Sequence, residues 1–320
     1  MLRPVNLRTD LAPLADLIEL VFSDTMDPSG RAALREMRMM SRMGAGLNLL
    51  SKLNEMAVGI SMGMVWIEGG QLVGNVSIYP AHLPKGGGEG WIIANVGVHP
   101  HFQRRGIARR LMVAALEVIR VQGGKLILLQ VDEDNAAALD LYHGLGFVTE
   151  RPFTTYKRLP SLRLPPLEHE VSTYVRQRRR SEWRAEMDLA AGLRPNQRGG
   201  LGWLRPIAPS LFQPNLWRVI SDLLNFRQQS RYVVTDEQGG LAASLWIERA
   251  FGLTTRLQLM TQPNQADLYA DALLATAIRQ FGAGSLILEH PSDDASVQAV
   301  LSRFRFMPQR SVIHMRWTPE

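Results

Sequence analysis

Residues Asn95–Arg109, which read NVGVHPHFQRRGIAR, decide the fold of this chain. The apolar residues that lead up to Val98 are typical of a strand, and residues 107–121 carry apolar side chains at helical spacing. A short loop that ends at Gly106 joins these two segments. The stretch therefore predicts a strand, a tight loop and a long amphipathic helix.

The start of that helix is suited to binding phosphate. The first N–H groups of a helix have no partner inside it, and they face one point at the positive end of the helix dipole. Gly106 and the small Ala108 would let an anion approach these groups closely. Arg104, Arg105 and Arg109 add positive charge around the same point. We therefore expect a site for an anionic ligand here.

Strand-like and helical runs alternate on both sides of this stretch. The strand-like runs are 64–67, 72–79, 91–98, 126–131 and 147–157, and the helical runs are 11–21, 28–43, 107–121 and 135–145. Strands interleaved with helices in this order predict an α/β fold in which helices cover a mixed sheet.

The chain divides into two halves of similar length. Prolines interrupt both helix and strand patterns in residues 159–169, so this stretch is predicted to link a domain of residues 1–158 to one of residues 170–320. With an offset of 159, residues 126–158 fall on residues 285–317, and the two apolar patterns agree. The second half is therefore expected to repeat the fold of the first.

Composition limits the class of protein. Of the 320 residues, 46% are apolar and 21% are charged, as in folded globular proteins, and none is cysteine. The lack of cysteine excludes disulfides, thiolate metal sites and cysteine nucleophiles, and we expect no metal. No run approaches the roughly 18 apolar residues that span a membrane, and Met1–Pro4 does not resemble a signal peptide. A cytoplasmic protein without a membrane partner is expected.

The net charge does not indicate a nucleic-acid partner. A charge of +6 spread over 320 residues is dilute, and it favours a small anionic ligand. The basic run Arg176–Arg180 has no interleaved aromatic residues on which bases would stack. We expect this run to be the solvated edge of a strand.

Two motifs in the first half resemble those of the GNAT superfamily, the Gcn5-related N-acetyltransferases. Val98–Ala108 is similar to the family's pyrophosphate-binding pattern V-x-P-x-x-Q-x-x-G-x-A. Asn135–Phe147, NAAALDLYHGLGF, resembles the family's N-x-x-A-x-x-L-Y-x-x-L-G-F run. The resemblance covers roughly residues 2–158, and the repeat extends it to two tandem GNAT folds. It implies an enzyme that transfers the acetyl group of acetyl-CoA to a primary amine of a small molecule or a peptide.

The resemblance also implies roles for individual residues. Residues that would contact the pantetheine arm of acetyl-CoA are Val96, Gly97, Val98 and Asn135. Residues that would hold its pyrophosphate are Gln103, Arg104, Arg105, Gly106, Ile107, Ala108 and Arg109. The backbone N–H of Val98 would polarise the thioester carbonyl. Tyr142 would act as the general acid that protonates the departing CoA thiolate.

The general base is not identified by the resemblance. Ribosomal-protein N-terminal acetyltransferases, which this half resembles, have a glutamate five residues before the motif asparagine, where this chain has Gln130. An amide cannot take a proton, so Asp132 and Glu89 are the candidates for the base, and His99 is a third. A chain without a base would bind CoA as a sensor or regulator, and this non-catalytic role is the alternative function.

The second half is expected to be a degenerate copy that has lost CoA binding. Its counterpart of the phosphate loop, Pro263–Asp267, is four residues shorter and contains neither glycine nor arginine. Asp267 places negative charge where the pyrophosphate would lie. Leu301 stands at the position that corresponds to Tyr142.

Overall fold

A computed structural model describes residues 1–26, 28–42, 63–84, 90–166, 175–214, 227–250, 254–263 and 266–318. In the first half the strands are β1 Leu2–Pro4, β2 Met64–Glu68, β3 Gln71–Ala81, β4 Gly90–Val98, β5 Ile127–Asp132 and β6 Val148–Arg158, and the helices are α1 Leu11–Phe22, α2 Pro28–Ser41, α3 Ile107–Val121 and α4 Ala136–His143. In the second half the strands are β7 Arg176–Gln177, β8 Arg227–Thr235, β9 Leu241–Ala250, β10 Thr255–Thr261, β11 Leu286–Pro291 and β12 Met307–Trp317, and the helices are α5 Trp183–Leu193, α6 Pro209–Phe212, α7 Ala266–Phe281 and α8 Ala295–Arg303. Within these described ranges, no helix has the length and apolar character that a membrane crossing requires.

The two halves repeat one fold, as the offset of 159 predicts. β5 and β6 recur as β11 and β12 with both ends displaced by 159 residues, and α3 and α7 begin 159 residues apart. Helices α4 and α8 are also capped alike. Asn135 Oδ1 accepts a hydrogen bond from the N–H of Ala138 at 3.1 Å, and Asp294 Oδ1 accepts one from the N–H of Val297 at 3.3 Å. The predicted mixed α/β fold in two tandem copies is confirmed.

The halves form one continuous sheet because they exchange their last strands. The described strands follow the order β1-β2-β3-β4-β5-β12-β6-β11-β10-β9-β8-β7. β12 pairs with β5 of the first half over six residue pairs. β6 pairs with β11 of the second half, also over six residue pairs. The sequence boundary near residue 158 therefore does not coincide with a gap in the sheet.

The long helix of each half buries its apolar stripe against the sheet. The stripe of α3 consists of Leu111, Met112, Ala115 and Ile119, all of which are fully buried. Burial of one leucine-sized side chain contributes about 1.5–3 kcal/mol, so this face fixes the position of α3 and of the loop before it.

The edge of the second half agrees in part with the sequence analysis. β7 contains Arg176 and lies at the end of the sheet, as expected. Arg178 differs, because its side chain is only 10% exposed and its Nε lies 3.2 Å from a carboxylate oxygen of Glu186. Glu186 is fully buried and also contacts Arg231 at 3.0 Å. A buried carboxylate needs paired cations, and this need draws Arg178 inward.

Candidate functional site

A cleft opens in the sheet where β4 and β5 separate. The two parallel strands pair only at Trp91–Ile127 and Ile92–Leu128. Beyond that point β4 contains a bulge, since the β3–β4 register shifts between Asn75 and Ser77 and Asn95 adopts a left-handed conformation with φ 51°. A bulge bends its strand and increases the local twist. The bend leaves one side of the end of β4 without a neighbouring strand.

Buried amides hold the bulge in place. Asn75 and Ser77 are each 1% exposed. The Nδ2 of Asn75 donates to the backbone oxygen of Asn95 at 2.9 Å, and the Nδ2 of Asn95 lies 3.3 Å from the Oγ of Ser77. These contacts offset the strain of a non-glycine residue at positive φ.

The end of β4 points a backbone donor into the cleft. The N–H of His99 donates to the oxygen of Val73 on β3 at 2.8 Å. Residue pairs of an antiparallel ladder alternate between those that exchange hydrogen bonds and those that do not. The N–H of Val98 is therefore turned away from β3 and faces the side that β5 has left. This is the orientation that an extra strand-like ligand requires.

Val96 and Gly97, the two residues before Val98 on β4, pack against the rest of the protein. Val96 is partly buried, and Gly97 is buried. A Cβ on Gly97 would lie 3.3 Å from side-chain atoms of both Val21 and Phe22. The glycine thus allows α1 to approach the strand, and only the backbone of this segment is open to a ligand.

The loop before α3 ends in an open helix terminus. Gly106 occupies the N-cap position with φ 74°, and no side chain caps the helix. A Cβ added to Gly106 would meet no described atom within 4 Å. Arg104, two residues earlier, also has positive φ, at 62°. Unpaired N–H groups beside an open space are the features that an anion-binding helix terminus requires, so the residues present fit a pyrophosphate.

Some polar side chains of the loop and of the start of α3 bind neighbouring parts of the protein, and the arginines among them are also exposed to solvent. The Nε2 of Gln103 donates to the backbone oxygen of Val98 at 3.1 Å, which ties the loop to the strand. Arg105 lies 3.1 Å from a carboxylate oxygen of Glu68, and Arg109 donates to the backbone oxygen of Gly144 at 3.1 Å. Arg104, Arg105 and Arg109 are all exposed at the start of α3.

The first two residues of α3, Ile107 and Ala108, offer a ligand backbone N–H groups and no charged side chain. Ile107 is 3% exposed, and its side chain packs toward Gly74 of β3. Ala108 is partly buried. Only the backbone N–H groups of these two residues are therefore available to a ligand.

Helix α4 presents Tyr142 from the core next to β5. Its side chain is 6% exposed and lies in the same apolar cluster as α3, with its ring centroid 5.9 Å from that of Phe147. Burial raises the pKa of Tyr142 to about 12. The phenol is therefore protonated at neutral pH. Because a thiol titrates near pH 8.5, full proton transfer to a free thiolate is uphill, and Tyr142 is best suited to hydrogen-bond a leaving sulfur as charge develops on it.

Asn135 has a structural role that sequence reasoning did not assign. Its Oδ1 caps α4, as described above, and the residue is exposed. Its amide nitrogen points away from that bond and remains able to donate to a ligand.

The three candidate bases have different surroundings. Asp132 is held by Arg310, whose Nε lies 2.6 Å from its Oδ1. That oxygen therefore already accepts a hydrogen bond within the protein. The Nδ1 of His99 accepts from the N–H of His101 at 3.3 Å, which occupies its acceptor nitrogen. Glu89 lies outside the described residues.

A carboxylate that the sequence analysis missed lies in a pocket on the face of the sheet opposite α3. The pocket has a volume of about 230 Å³. It is lined by Leu126 and Leu128 of β5, Glu150 of β6, His314 and Arg316 of β12, and residues of the 196–206 loop. Leu128 is also the last residue of β5 that pairs with β4. The pocket thus adjoins the point at which the cleft opens.

Glu150 is aimed into this pocket by a second bulge. In the β6–β12 ladder Arg151 pairs with His314 and Thr149 pairs with Met315, so Glu150 is the extra residue between them. The loop from the second half covers it, since a Cβ on Gly199 would lie 3.5 Å from its Oε2. Burial raises the pKa of Glu150 to about 7, although Arg316 opposes the shift.

The repeat is the one sequence signal that bears on Glu150. With the offset of 159 it corresponds to Gln309, which is the extra residue of the other bulge in the same ladder, between Pro308 and Arg310. The bulge is thus common to both copies, and the carboxylate is present only in the first.

A neutral histidine connects the strands behind the pocket. The Nε2 of His314 lies 2.9 Å from the Nε2 of Gln130 and 3.6 Å from the Oε1 of Glu289. Burial lowers the pKa of His314 to about 3, and its ring stacks on Phe153 at 4.5 Å. His314 therefore carries no charge at neutral pH. It lines the pocket and contributes a hydrogen-bonding group to its surface.

The corresponding place in the second half shares the opening between the parallel strands, since β10 and β11 pair only from Thr255–Leu286 to Leu257–Leu288, and it differs in the other features. The β9–β10 ladder runs without a register shift. The first turn of α7 contains Asp267, and Leu301 of α8 is fully buried. Asn264 and Gln265 of the shortened loop lie outside the described residues.

Comparisons with known proteins agree with this geometry. The model of the acetyltransferase (GNAT) family matches residues 41–147. A stretch of 80 residues, 25% of this chain, is 39% identical to the N-alpha-acetyltransferase RimI of Mycobacterium tuberculosis, of which it covers 48%. A stretch of 68 residues is 40% identical to the mycothiol acetyltransferase of Thermobifida fusca and covers 21% of each chain. The matches thus span less than half the length of these relatives.

The fold of the whole chain is also found in a solved structure. The GCN5-related N-acetyltransferase from Sphaerobacter thermophilus superposes with a TM-score of 0.56 at 12% identity, over 99% of this chain and 95% of that chain. At this level of identity the likeness shows the fold alone.

Proposed function

We propose that this chain, a member of the acetyltransferase (GNAT) family, is an N-acetyltransferase that transfers the acetyl group of acetyl-CoA to a primary amine. The observation that carries the proposal is the opening of β4 from β5 directly beside the uncapped start of α3. This arrangement offers an elongated ligand a strand edge along one part and an anion site at its end.

Four of the predicted residues have tasks in this cleft. The N–H of Val98 faces the position that a pantetheine arm and its thioester would occupy. The N–H groups that follow Gly106 would bind the pyrophosphate, and Arg104, an exposed residue of the loop, would add positive charge. Tyr142 would hydrogen-bond the sulfur as the carbon–sulfur bond breaks, which supports a catalytic role rather than sensing alone.

The second half supports the reaction without a CoA site of its own. Its phosphate loop is short, and its first helical turn carries Asp267, so we expect one CoA per chain. Its 196–206 loop and its strand β12 complete the pocket next to the cleft. The acceptor amine would therefore bind between elements of both halves.

A screen of primary amines for thiol release from acetyl-CoA tests this function. We expect release that depends on the amine and falls in a Tyr142→Phe variant that still binds acetyl-CoA. Binding of acetyl-CoA without thiol release from any amine, peptide amines included, would favour the non-catalytic alternative.

A further inference from the structure

The pocket beside the cleft carries charges of both signs. Glu150 supplies a carboxyl group on one side. Arg316 of β12 lies on the same face of the sheet, because its Cα partner on β5 is Leu128, another residue of the pocket. Arg316 makes no hydrogen bond or ion pair of 4.0 Å or less with any residue in the described ranges. Its charge is therefore available to a ligand.

The other charged residue of the pocket is already neutralised. Arg205 lies 2.6 Å from a carboxylate oxygen of Glu248. His314 is buried and uncharged at neutral pH, as described above. Glu150 and Arg316 are thus the two groups left to select the charge of an occupant.

We propose that the pocket takes a small acceptor that carries both a primary amine and an anionic group, with the amine at Glu150 and the anion at Arg316. The inference rests on the proposed acetyl transfer and specifies its acceptor. A partly buried guanidinium that forms no hydrogen bond or ion pair with a described residue binds a carboxylate or phosphate strongly, because the hydrogen bonds are charge-assisted. The apolar floor of Leu126 and Leu128 suits the short carbon chain between the two groups.

Glu150 is placed to take the proton that the reaction releases. As the amine nitrogen bonds to the acetyl carbon it loses one proton, and the carbon–sulfur bond breaks to leave a thiolate, which takes one proton from solvent to become the thiol. Glu150 accepts the proton from nitrogen, and Tyr142 donates a hydrogen bond to the sulfur while negative charge develops on it. The electrons of the broken bond remain on sulfur, so the step needs no redox partner.

Calorimetry on the protein saturated with CoA tests the acceptor class without relying on turnover. The probes are 4-aminobutanoate, its isostere 4-aminobutanamide, in which an uncharged amide replaces the carboxylate, and the dication 1,4-diaminobutane, each with homologues of two to five methylene groups. We expect the amino acids to bind more tightly than the amides, and the diamines to bind most weakly. Equal or tighter binding of the diamines would overturn the proposal.

Variants at Arg316 locate the anion. Arg316→Gln is expected to weaken binding of the best amino acid by about 10- to 100-fold and to leave binding of its amide unchanged, in keeping with one lost hydrogen bond to a charged group. Arg316→Lys should restore part of the loss. The matched control is Arg120→Gln, which removes the same charge from an exposed site on α3. An equal loss for acid and amide in Arg316→Gln, or an equal loss in the control, would refute the assignment.

Thiol release separates this inference from the proposed function. If the amino acids bind preferentially and no thiol appears, the charge selection stands and acetyl transfer fails. If thiol is released with no preference among the three probe types, acetyl transfer stands and the inference fails.

Discussion

Replacement of Gly106 by valine tests the phosphate site through one backbone position. Gly106 has φ 74°, and a Cβ at this position would meet no described atom within 4 Å, so valine fits in space but is strained. A left-handed β-branched residue costs on the order of 1–3 kcal/mol of folding stability. Its methyl groups would fill the space above the first N–H groups of α3. Loss of two hydrogen bonds to a charged pyrophosphate costs about 3–6 kcal/mol, which is about 10²- to 10⁴-fold in affinity.

A matched control exists in the same helix. Gly123 follows the C-terminal end of α3 with φ 76° and also has no described atom within 4 Å of the Cβ position. Gly123→Val should therefore lower the melting temperature as much as Gly106→Val does. Calorimetry with CoA should show lost affinity only in Gly106→Val. Wild-type affinity in a folded Gly106→Val protein, or equal loss in both variants, would refute the assignment of the phosphate site.

Three further predictions concern catalysis and assembly. Tyr142→Phe should leave acetyl-CoA affinity unchanged and lower kcat by about 10²- to 10³-fold, the usual cost of removing one hydrogen-bond donor to charge that develops in the transition state, and unaltered kcat would exclude the role. Because Glu150 must be ionised to accept a proton and its pKa is raised to about 7, kcat/KM should rise with pH through that value and become level above it. Glu150→Gln should lose this inflection while it keeps any inflection of the amine itself, and an unchanged profile would exclude Glu150 as the base. A chain that ends at residue 158 lacks β12, so circular dichroism should show no cooperative melting; a transition at the full-length temperature would contradict the strand exchange.

Features that depend on nearby residues were predictable from the sequence. The strand, loop and helix of Asn95–Arg109 follow from apolar spacing and from one glycine, and α4 begins one residue after its predicted start. The repeat was predictable because the apolar pattern is preserved at a constant offset of 159, although few residues are identical.

The strand exchange could not be predicted from the same pattern. β6 and β12 have equal lengths and corresponding positions in their halves, so either could pair with β5 or with β11. Which pairing forms depends on the connection between the halves and on side-chain fit across the sheet. Neither of these is a local property of the sequence.

The pocket was missed for a related reason. Glu150 faces it because a bulge adds a residue to β6, and a bulge reverses the side on which a strand residue would otherwise lie. The loop that covers it comes from about 50 residues farther along the chain. Asp132 looked suitable as a base because its partner, Arg310, is 178 residues away in sequence.

Calorimetric titration of the full chain with acetyl-CoA tests the central claim most directly. One binding site per chain is predicted, because the phosphate loop of the second half is four residues shorter, contains no glycine and leads into a helical turn that carries Asp267. Two sites per chain would show that the shortened loop at Pro263–Asp267 still binds CoA. An absence of binding would contradict the assignment of the cleft itself.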